Sequence, residues 1–217
     1  MIKNQARVVI ENVSPQLNGG EFFIKRVVDE IVIVNATVLV DGHDIIAAAV
    51  LFKHESERKW KDVRLQDFGN NDWRGSFTVE KQGFYEYKIQ GWVDYALNWQ
   101  HGIIRKIDDN QHVNSELLEG IEYLKPLLKK ANSSEKTFIK KLQVLFKNED
   151  SYNESVQAAK SDELYQLFYK YPTKILANTS APLKVYVDRL KARFSTWYEF
   201  FPRSASQANE SKHGTFK

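Results

Sequence analysis

The first half of the chain alternates apolar and polar residues with a period of two, the pattern of β-strands with one buried face. Turn residues such as Asp41-Gly42 separate these runs, and no helical pattern lies between them. The expected strands are Arg7–Val13, Ile31–Val40, Ile45–Phe52, 73–79 and 85–93. Residues 1–107 are therefore predicted to form an antiparallel, immunoglobulin-like β-sandwich.

A glycine followed by alternating tyrosines marks the last of these strands, in the segment Gly83-Phe84-Tyr85-Glu86-Tyr87. In immunoglobulin-like sandwiches, a tyrosine hydroxyl at such a corner holds a neighbouring loop. The pattern fits equally well a strand that carries two aromatic core residues. Both interpretations place the two tyrosines on the buried face of the strand.

After Ile107 the apolar spacing changes to that of amphipathic helices. Four apolar stripes are expected to pack as a small helical bundle over residues 108–195. The stripes are 117–128, with a bend or end near Lys125 because of Pro126; 138–146; 164–171, closed by Pro172; and 183–194, with Ser180 as N-cap and Pro182 in the first turn.

The final segment combines an aromatic run, Trp197–Ser204, with a short terminal motif, His213–Phe216. This pattern predicts a short buried strand, a polar loop and the first residues of a helix. That order is typical of the start of a larger α/β domain. The 217 residues are therefore interpreted as the front of a longer polypeptide, with any active site expected mostly beyond Lys217.

The composition is that of a soluble globular chain, with 42% hydrophobic and 27% charged residues. The net charge of +3 is small and both signs are interspersed, which argues against a nucleic-acid partner. The longest apolar run, Ile45–Phe52, is far shorter than the ~20 residues of a membrane-spanning helix, and the N-terminus does not resemble a signal peptide. The absence of cysteine excludes disulfides and thiolate chemistry. A cytoplasmic protein without a membrane partner is expected.

Few polar residues suggest catalysis. Asp41, His43, Asp44 and His54 could be imagined as metal ligands, but their spacing fits no ligand template, and Asp-Gly-His-Asp makes a good surface turn. Carboxylates that are neighbours in sequence fall in predicted loops or helix starts, where they solvate the chain or favour the helix dipole. No catalytic, cofactor-binding or metal-binding residue is therefore assigned, and no cofactor is expected.

The tryptophans are a better functional lead. Trp92 falls on the polar face of its predicted strand, Trp99 follows in a strand-like stretch, and Trp73 lies in an earlier strand. One interpretation is that they stack on a sugar or anchor an interface, because an outward indole buries a large area at low entropic cost. The other, which we favour, is that a further layer of the protein covers Trp92.

Several stretches together resemble one family. They are Arg7–Pro15, Gly19-Gly20, Lys25–Val28, Asp41–Asp44, Gly83–Tyr87, Gly91–Asp94, Trp99 with His101, Leu117–Gly120, and the terminal W-Y-E-F-F-P-R-S and H-G-T-F. The combination resembles the N-terminal region of the α-1,4-glucan:maltose-1-phosphate maltosyltransferases of the alpha-amylase superfamily, over nearly the whole chain. Two departures are Phe23, where a proline is expected, and Gly102–Lys106, where an aspartate and a more basic run are expected.

The resemblance implies a bacterial, cytoplasmic, retaining transferase that extends α-1,4-glucan, such as glycogen, with maltosyl units from maltose 1-phosphate. It implies that residues 196–217 begin a truncated catalytic (β/α)8 barrel, whose strands and helices need ~250 residues. The glucan and the maltose 1-phosphate would bind to that missing domain. The sandwich and bundle would be non-catalytic, docking on the barrel and contributing to a homodimer.

Two other functions stay open from the sequence. In the first, the chain is a carbohydrate-binding module in which Trp73, Trp92 and Trp99 form a stacking platform for glucan. In the second, it is the leader domain of another glycoside hydrolase of the alpha-amylase family.

Overall fold

The computed structural model describes residues 6–204, which form ten β-strands, five α-helices and several short 3-10 turns. The strands are β1 (Val8–Ser14), β2 (Ile24–Val27), β3 (Glu30–Val40), β4 (Ile46–His54), β5 (Lys61–Arg64), β6 (Gln66–Asp67), β7 (Asp72–Val79), β8 (Gly83–Val93), β9 (Asn178–Thr179) and β10 (Leu183–Asp188). The helices are α1 (Tyr95–Asp108), α2 (Asn114–Leu124), α3 (Ser133–Leu145), α4 (Tyr152–Ala159) and α5 (Asp162–Lys170). The five expected strands are confirmed as β1, β3, β4, β7 and β8.

Two sheets pack against each other through a shared hydrophobic core. One sheet has the order β1-β3-β7-β6, and its strands are antiparallel. The other has the order β2-β10-β8-β4-β5, with β9 paired to β8, and only its β2–β10 pair is parallel. Val32 and Val34 of the first sheet and Tyr87 and Ile89 of the second are fully buried in this core. The alternation of these strands therefore reflects one face turned to the opposite sheet.

The prediction of a fourth helix over residues 183–194 is wrong, because residues 183–188 form strand β10. Leu183, Val185 and Val187 are buried, whereas the residues between them face outward. Burying each such side chain contributes about 1.5–3 kcal/mol, which exceeds a helix-propensity difference of under about 1 kcal/mol per residue. Ser180 is accordingly not a helix cap; its hydroxyl accepts a hydrogen bond from the amide of Ile89 at 2.9 Å.

The helical part begins earlier than expected. Helix α1 starts at Tyr95, inside the range assigned to the sandwich, and its first turn is capped by the carboxylate of Asp94, which accepts from the amide of Leu97 at 3.3 Å. Helices α2, α3 and α5 follow the predicted stripes, and α2 ends at Leu124 before a 3-10 turn that contains Pro126, as predicted. Helix α4 was not predicted.

The helices are an insertion within the sandwich. Strand β8 leads into α1, and after α5 the chain returns to the same sheet as β9 and β10. The helices enclose a second core around Ile103, Leu124, Ile139 and Leu164, each of which is buried. The chain thus passes from the core of the sandwich, which includes Val93 at the end of β8, to the core of the helices, which includes Ala96.

Of the two interpretations of Gly83–Tyr87, the structure supports the one in which a tyrosine hydroxyl holds a neighbouring loop, a tyrosine corner. The hydroxyl of Tyr85 accepts hydrogen bonds from the backbone amides of Glu80 at 3.1 Å and Lys81 at 3.0 Å. The hydroxyl of Tyr87 donates to the carbonyl of Pro15. Each tyrosine therefore buries its ring in the core and uses its polar end to hold a loop.

The described end of the chain differs from the expected buried strand. Residues 194–201 contain neither helix nor strand, and Trp197 and Tyr198 are 91% and 87% exposed. A 3-10 turn follows at Pro202–Ser204. The terminal motif His213–Phe216, predicted to start a helix, lies outside the described residues.

Candidate functional site

The three tryptophans proposed as sugar or interface contacts are all buried. Trp73, Trp92 and Trp99 are 7%, 1% and 7% exposed, and each belongs to a different hydrophobic cluster. Trp73 lies in the core between the sheets and Trp99 in the core of the helices. The structure therefore does not bring these rings together, and they form no stacking platform.

Trp92 does point away from the core between the sheets, as its place in the alternation predicted, but other groups cover it. Ala177 packs against it from the segment that follows α5. The guanidinium of Arg64 lies 5.6 Å and the ammonium of Lys174 4.6 Å from the centre of the indole ring. The favoured interpretation, that a further layer covers Trp92, is confirmed.

The imagined metal ligands are engaged elsewhere. Arg7 forms ion pairs with Asp41 at 3.0 Å and Asp44 at 2.5 Å, which close the surface turn. His54 instead bonds the hydroxyl of Ser56 at 2.7 Å and the carbonyl of Gln82 at 2.8 Å. Between residues 6 and 204, no three metal-ligating side chains converge.

The junction between sheet and helices is built around Asp94, which is 1% exposed. One carboxylate oxygen caps α1, and the other forms an ion pair with Arg64 at 3.1 Å. Arg64 also donates to the carbonyl of Tyr169 at 2.8 Å and lies 3.9 Å from the centre of that ring. Burial raises the pKa of Asp94, and the charge of Arg64 opposes that rise. This network ties β5, the start of α1 and the end of α5 together.

A second contact of the junction fixes α1 to the start of β4. The side-chain oxygen of Asn98 accepts from the amide of Ile45 at 2.8 Å, and its nitrogen donates to the carbonyl of Ile45 at 3.1 Å. The amide of Asp94 also donates to that carbonyl, at 2.9 Å. The backbone at Ile45 is thereby held against the first two turns of α1.

A cavity of about 350 Å³ opens beside this contact, between α1 and the N-terminal turn of α5. Its walls are mostly apolar, with polar groups at one side. The lining residues are Ile45, Leu97, Gln100, His101, Ile104, Lys160, Ser161, Asp162 and Tyr165. Its volume falls within the range of small-molecule sites, about 300–1,000 Å³.

This cavity was not predicted, because residues 95–107 were assigned to the sandwich, with Trp99 in a strand-like stretch. The signal was present: Leu97, Gln100 and Ile104 recur at the spacing of one helix face, directly after the N-cap residue Asp94.

An exposed cluster of aromatic side chains lies on the outer side of the six-stranded sheet. Phe23, Phe84 and Tyr186 form a group with ring centres 5.1–5.8 Å apart. Phe22 precedes Phe23 in the chain and is 58% exposed. We call these four residues the aromatic face.

The chain leaves the sandwich after β10. A 3-10 turn at Leu190–Arg193 follows β10, and Arg193 pairs with Glu30 at 3.3 Å. Phe194 is exposed directly after this turn. Among the described residues, no helix combines the length and apolar character that a membrane span requires.

The fold is thus a two-sheet β-sandwich interrupted by a helical bundle. A family profile described as alpha-1,4-glucan:maltose-1-phosphate maltosyltransferase, domain N/S, matches residues 6–189. The chain belongs to this family, and the resemblance found in the sequence is confirmed.

Curated relatives agree with this assignment. The chain is 36% identical over 219 residues to the alpha-1,4-glucan:maltose-1-phosphate maltosyltransferase of Methylacidiphilum infernorum, covering 100% of this chain and 32% of the relative. It is 36% identical over 212 residues to that of Chlorobaculum tepidum, covering 97% and 31%. For the protein of Myxococcus xanthus, the identity is 34% over 226 residues, covering 100% and 34%. The chain spans about a third of the length of these relatives.

Proposed function

We propose that this chain is the non-catalytic N-terminal part of a cytoplasmic enzyme that transfers maltosyl units from maltose 1-phosphate to α-1,4-glucan such as glycogen, with retention of configuration. The observation that carries the proposal is the match of residues 6–189 to domain N/S of that family. The proportion of the relatives that the chain spans, about a third, supports a catalytic region elsewhere in the longer protein.

In this proposal, the sandwich is of the immunoglobulin-like type, which the corner formed by Tyr85 supports. Residues 196–217 lead into a (β/α)8 barrel. The exposed aromatic side chains of Trp197 and Tyr198 support this role, since a further domain that packs on them would bury their apolar surface.

The aromatic face is the proposed docking surface for the rest of the enzyme. Large apolar patches on a soluble protein mark interaction sites, and Phe22 and Phe23 are 58% and 40% exposed. The homodimer is a further part of the proposal, and light scattering combined with size-exclusion chromatography of the complete gene product tests it. A strictly monomeric product contradicts the dimer.

The enzymatic proposal is tested by an assay of the complete gene product. Phosphate release from maltose 1-phosphate in the presence of maltoheptaose or glycogen is expected. Release only of free sugars from glucan, without dependence on maltose 1-phosphate, would instead support a leader domain of another alpha-amylase-family glycoside hydrolase. A carbohydrate-binding platform of Trp73, Trp92 and Trp99 has no support, because all three rings are buried.

A further inference from the structure

The cavity between α1 and α5 is bordered by two amide side chains that fix the backbone around it. Asn98 fixes Ile45 on one side of it through two hydrogen bonds. Gln100 fixes the other side, because its side-chain nitrogen donates to the carbonyls of Ala159 and Ser161, both at 3.1 Å. The side chains that fix the two sides of the pocket, the half-buried Asn98 and the buried Gln100, thus belong to the same helix.

Gln100 offers a polar group that the protein itself does not use. The residue is 3% exposed and lines the pocket, and its side-chain oxygen has no hydrogen-bond partner among the described residues. Buried polar atoms nearly always have a partner, so each exception calls for an explanation. The oxygen is closed to solvent, so a hydroxyl group of a bound molecule would satisfy it after a small movement of the Gln100 side chain.

An aromatic ring stands at the mouth of the pocket. Tyr165 is 40% exposed, and its ring lies 6.0 Å from that of Tyr169, one turn further along α5. Arg64 packs on the ring of Tyr169 and holds it. An exposed ring beside an apolar floor of Ile45 and Ile104 suits a ligand that has flat apolar faces as well as polar edges.

The charges around the pocket favour a neutral ligand. Lys160 already forms an ion pair with Asp108 at 2.7 Å. Asp162 adds a carboxylate at the rim, which repels anions such as phosphate. A purely apolar ligand would leave the oxygen of Gln100 unsatisfied. Neutral sugars meet both conditions, because each ring has apolar faces and hydroxyl edges.

We propose that this pocket binds a segment of α-1,4-glucan, with a sugar ring against Tyr165 and a hydroxyl group directed to Gln100. The choice of glucan among neutral sugars rests on the proposed function. The pocket would hold a glucan chain on the helical bundle.

The test uses methyl NMR of the 217-residue chain with labelled isoleucines. Titration with maltoheptaose is expected to shift the methyl signals of Ile45 and Ile104 in a saturable manner. Ile31 and Ile33, which are exposed on the sandwich, serve as internal controls and are expected not to shift. A parallel titration with inorganic phosphate is expected to leave all four unchanged.

Three variants examine the role of the ring. Tyr165→Ala is expected to weaken maltoheptaose binding about tenfold, whereas Tyr165→Phe, which keeps the stacking surface, is expected to stay within about twofold. Tyr198→Ala removes an exposed tyrosine that does not line the pocket and is expected to bind as the parent chain does.

The proposal is overturned if maltoheptaose leaves Ile45 and Ile104 unchanged, if phosphate alone shifts them, or if Tyr165→Ala binds as well as the parent. These results are independent of the enzyme assay. Phosphate release by the complete gene product without shifts in the chain would refute only the pocket. Shifts in the chain without phosphate release would refute the maltosyltransferase function while retaining a sugar site.

Discussion

Gly120 lies directly against the indole of Trp99. A Cβ atom built on Gly120 would overlap Cζ2 of that ring and stand 2.8 Å from Cη2. The ring cannot move aside freely, because its nitrogen donates to the carbonyl of Glu116 at 2.7 Å. This contact brings α1 and α2 together closely and explains a glycine in the interior of a helix.

We expect Gly120→Ala to destabilise the chain by about 1–3 kcal/mol, the usual cost of an overpacked core. Gly102 in α1 provides the matched control, since a Cβ there meets nothing within 4 Å. Gly102→Ala is expected to stabilise by about 1 kcal/mol through helix propensity. Urea unfolding measures both, and two changes of the same sign would contradict the packing argument.

The hydrogen bonds of the tyrosine corner predict a difference in stability between two Tyr→Phe variants. Tyr85→Phe keeps the buried ring but leaves the amides of Glu80 and Lys81 without their acceptor. A loss of about 1–3 kcal/mol in unfolding free energy is expected. Tyr198→Phe, at an exposed position, is expected to change stability by less than about 0.5 kcal/mol. Equal effects would mean that the hydroxyl of Tyr85 does not hold the loop.

Loss of the ion pair between Asp94 and Arg64 is expected to lower stability more than the two preceding substitutions. Asp94→Ala removes the cap of α1 and leaves Arg64 without its carboxylate. Breaking a buried pair in this way costs about 3–5 kcal/mol. Asp94→Asn retains a capping acceptor and is expected to be less destabilising. Chemical denaturation followed by circular dichroism tests this order, and equal losses in the two variants would mean that the cap is unimportant.

Glu135 predicts a dependence of stability on pH. Hydrogen bonds from Lys170, the amide of Asn132 and Tyr171 lower the pKa of Glu135 from 4.5 to about 2. A depressed folded-state pKa adds stability above the unfolded value, and this stability is lost as the pH falls from 4.5 towards about 2. Glu135→Gln is therefore expected to be less stable at pH 7 and to lose less stability on acidification.

The control for this prediction is Glu122→Gln, in an exposed pair with Lys125. Such surface pairs contribute little, so the pH profile is expected to match that of the parent. Thermal unfolding between pH 7 and pH 3 separates the two variants. Identical acid sensitivity of Glu135→Gln and the parent would exclude the proposed linkage.

If the aromatic face docks on the rest of the enzyme, its substitution is expected to change the unfolding of the complete gene product. In the complete gene product, Phe22→Ser with Phe23→Ser is expected to uncouple this region, so that calorimetry resolves two unfolding transitions. Phe68→Ser changes a phenylalanine of similar exposure on the other sheet, 59% against 58% for Phe22, and is expected to leave the transitions as in the parent. A parent-like profile for the double variant would remove the aromatic face as the docking surface.

Local patterns predicted most of the sandwich because its strands are two-faced, as at Val32 and Val34, where every second residue is buried. They failed where two periods fit the same residues. Leu183 and Val187 lie four positions apart, which suits a helix, but Val185 between them is equally buried in β10. Residues 183–188 form a strand because they pair with β2 and β8, which are distant in sequence. A local sequence window does not include those partners.

The site was less predictable for a similar reason. An outward position in an alternating strand indicates exposure only if nothing packs on it, and Trp92 is covered by Ala177, which is far away in sequence. The pocket depends on the approach of α1 to α5, held by Gln100 and the carbonyls of Ala159 and Ser161. Sequence can place these residues on helices, but it does not give the distance between them.

The return of the chain to the sheet as β9 and β10 has a consequence for biosynthesis. Both strands pair with the same edge of β8, and β10 also pairs with β2. A ribosome that has translated only the first seven strands, β8 and the helices has therefore produced an open sheet edge, which is prone to aberrant pairing. The helices are synthesised while this edge is unpaired. The nascent protein can therefore complete the sheet only after all five helices have been translated.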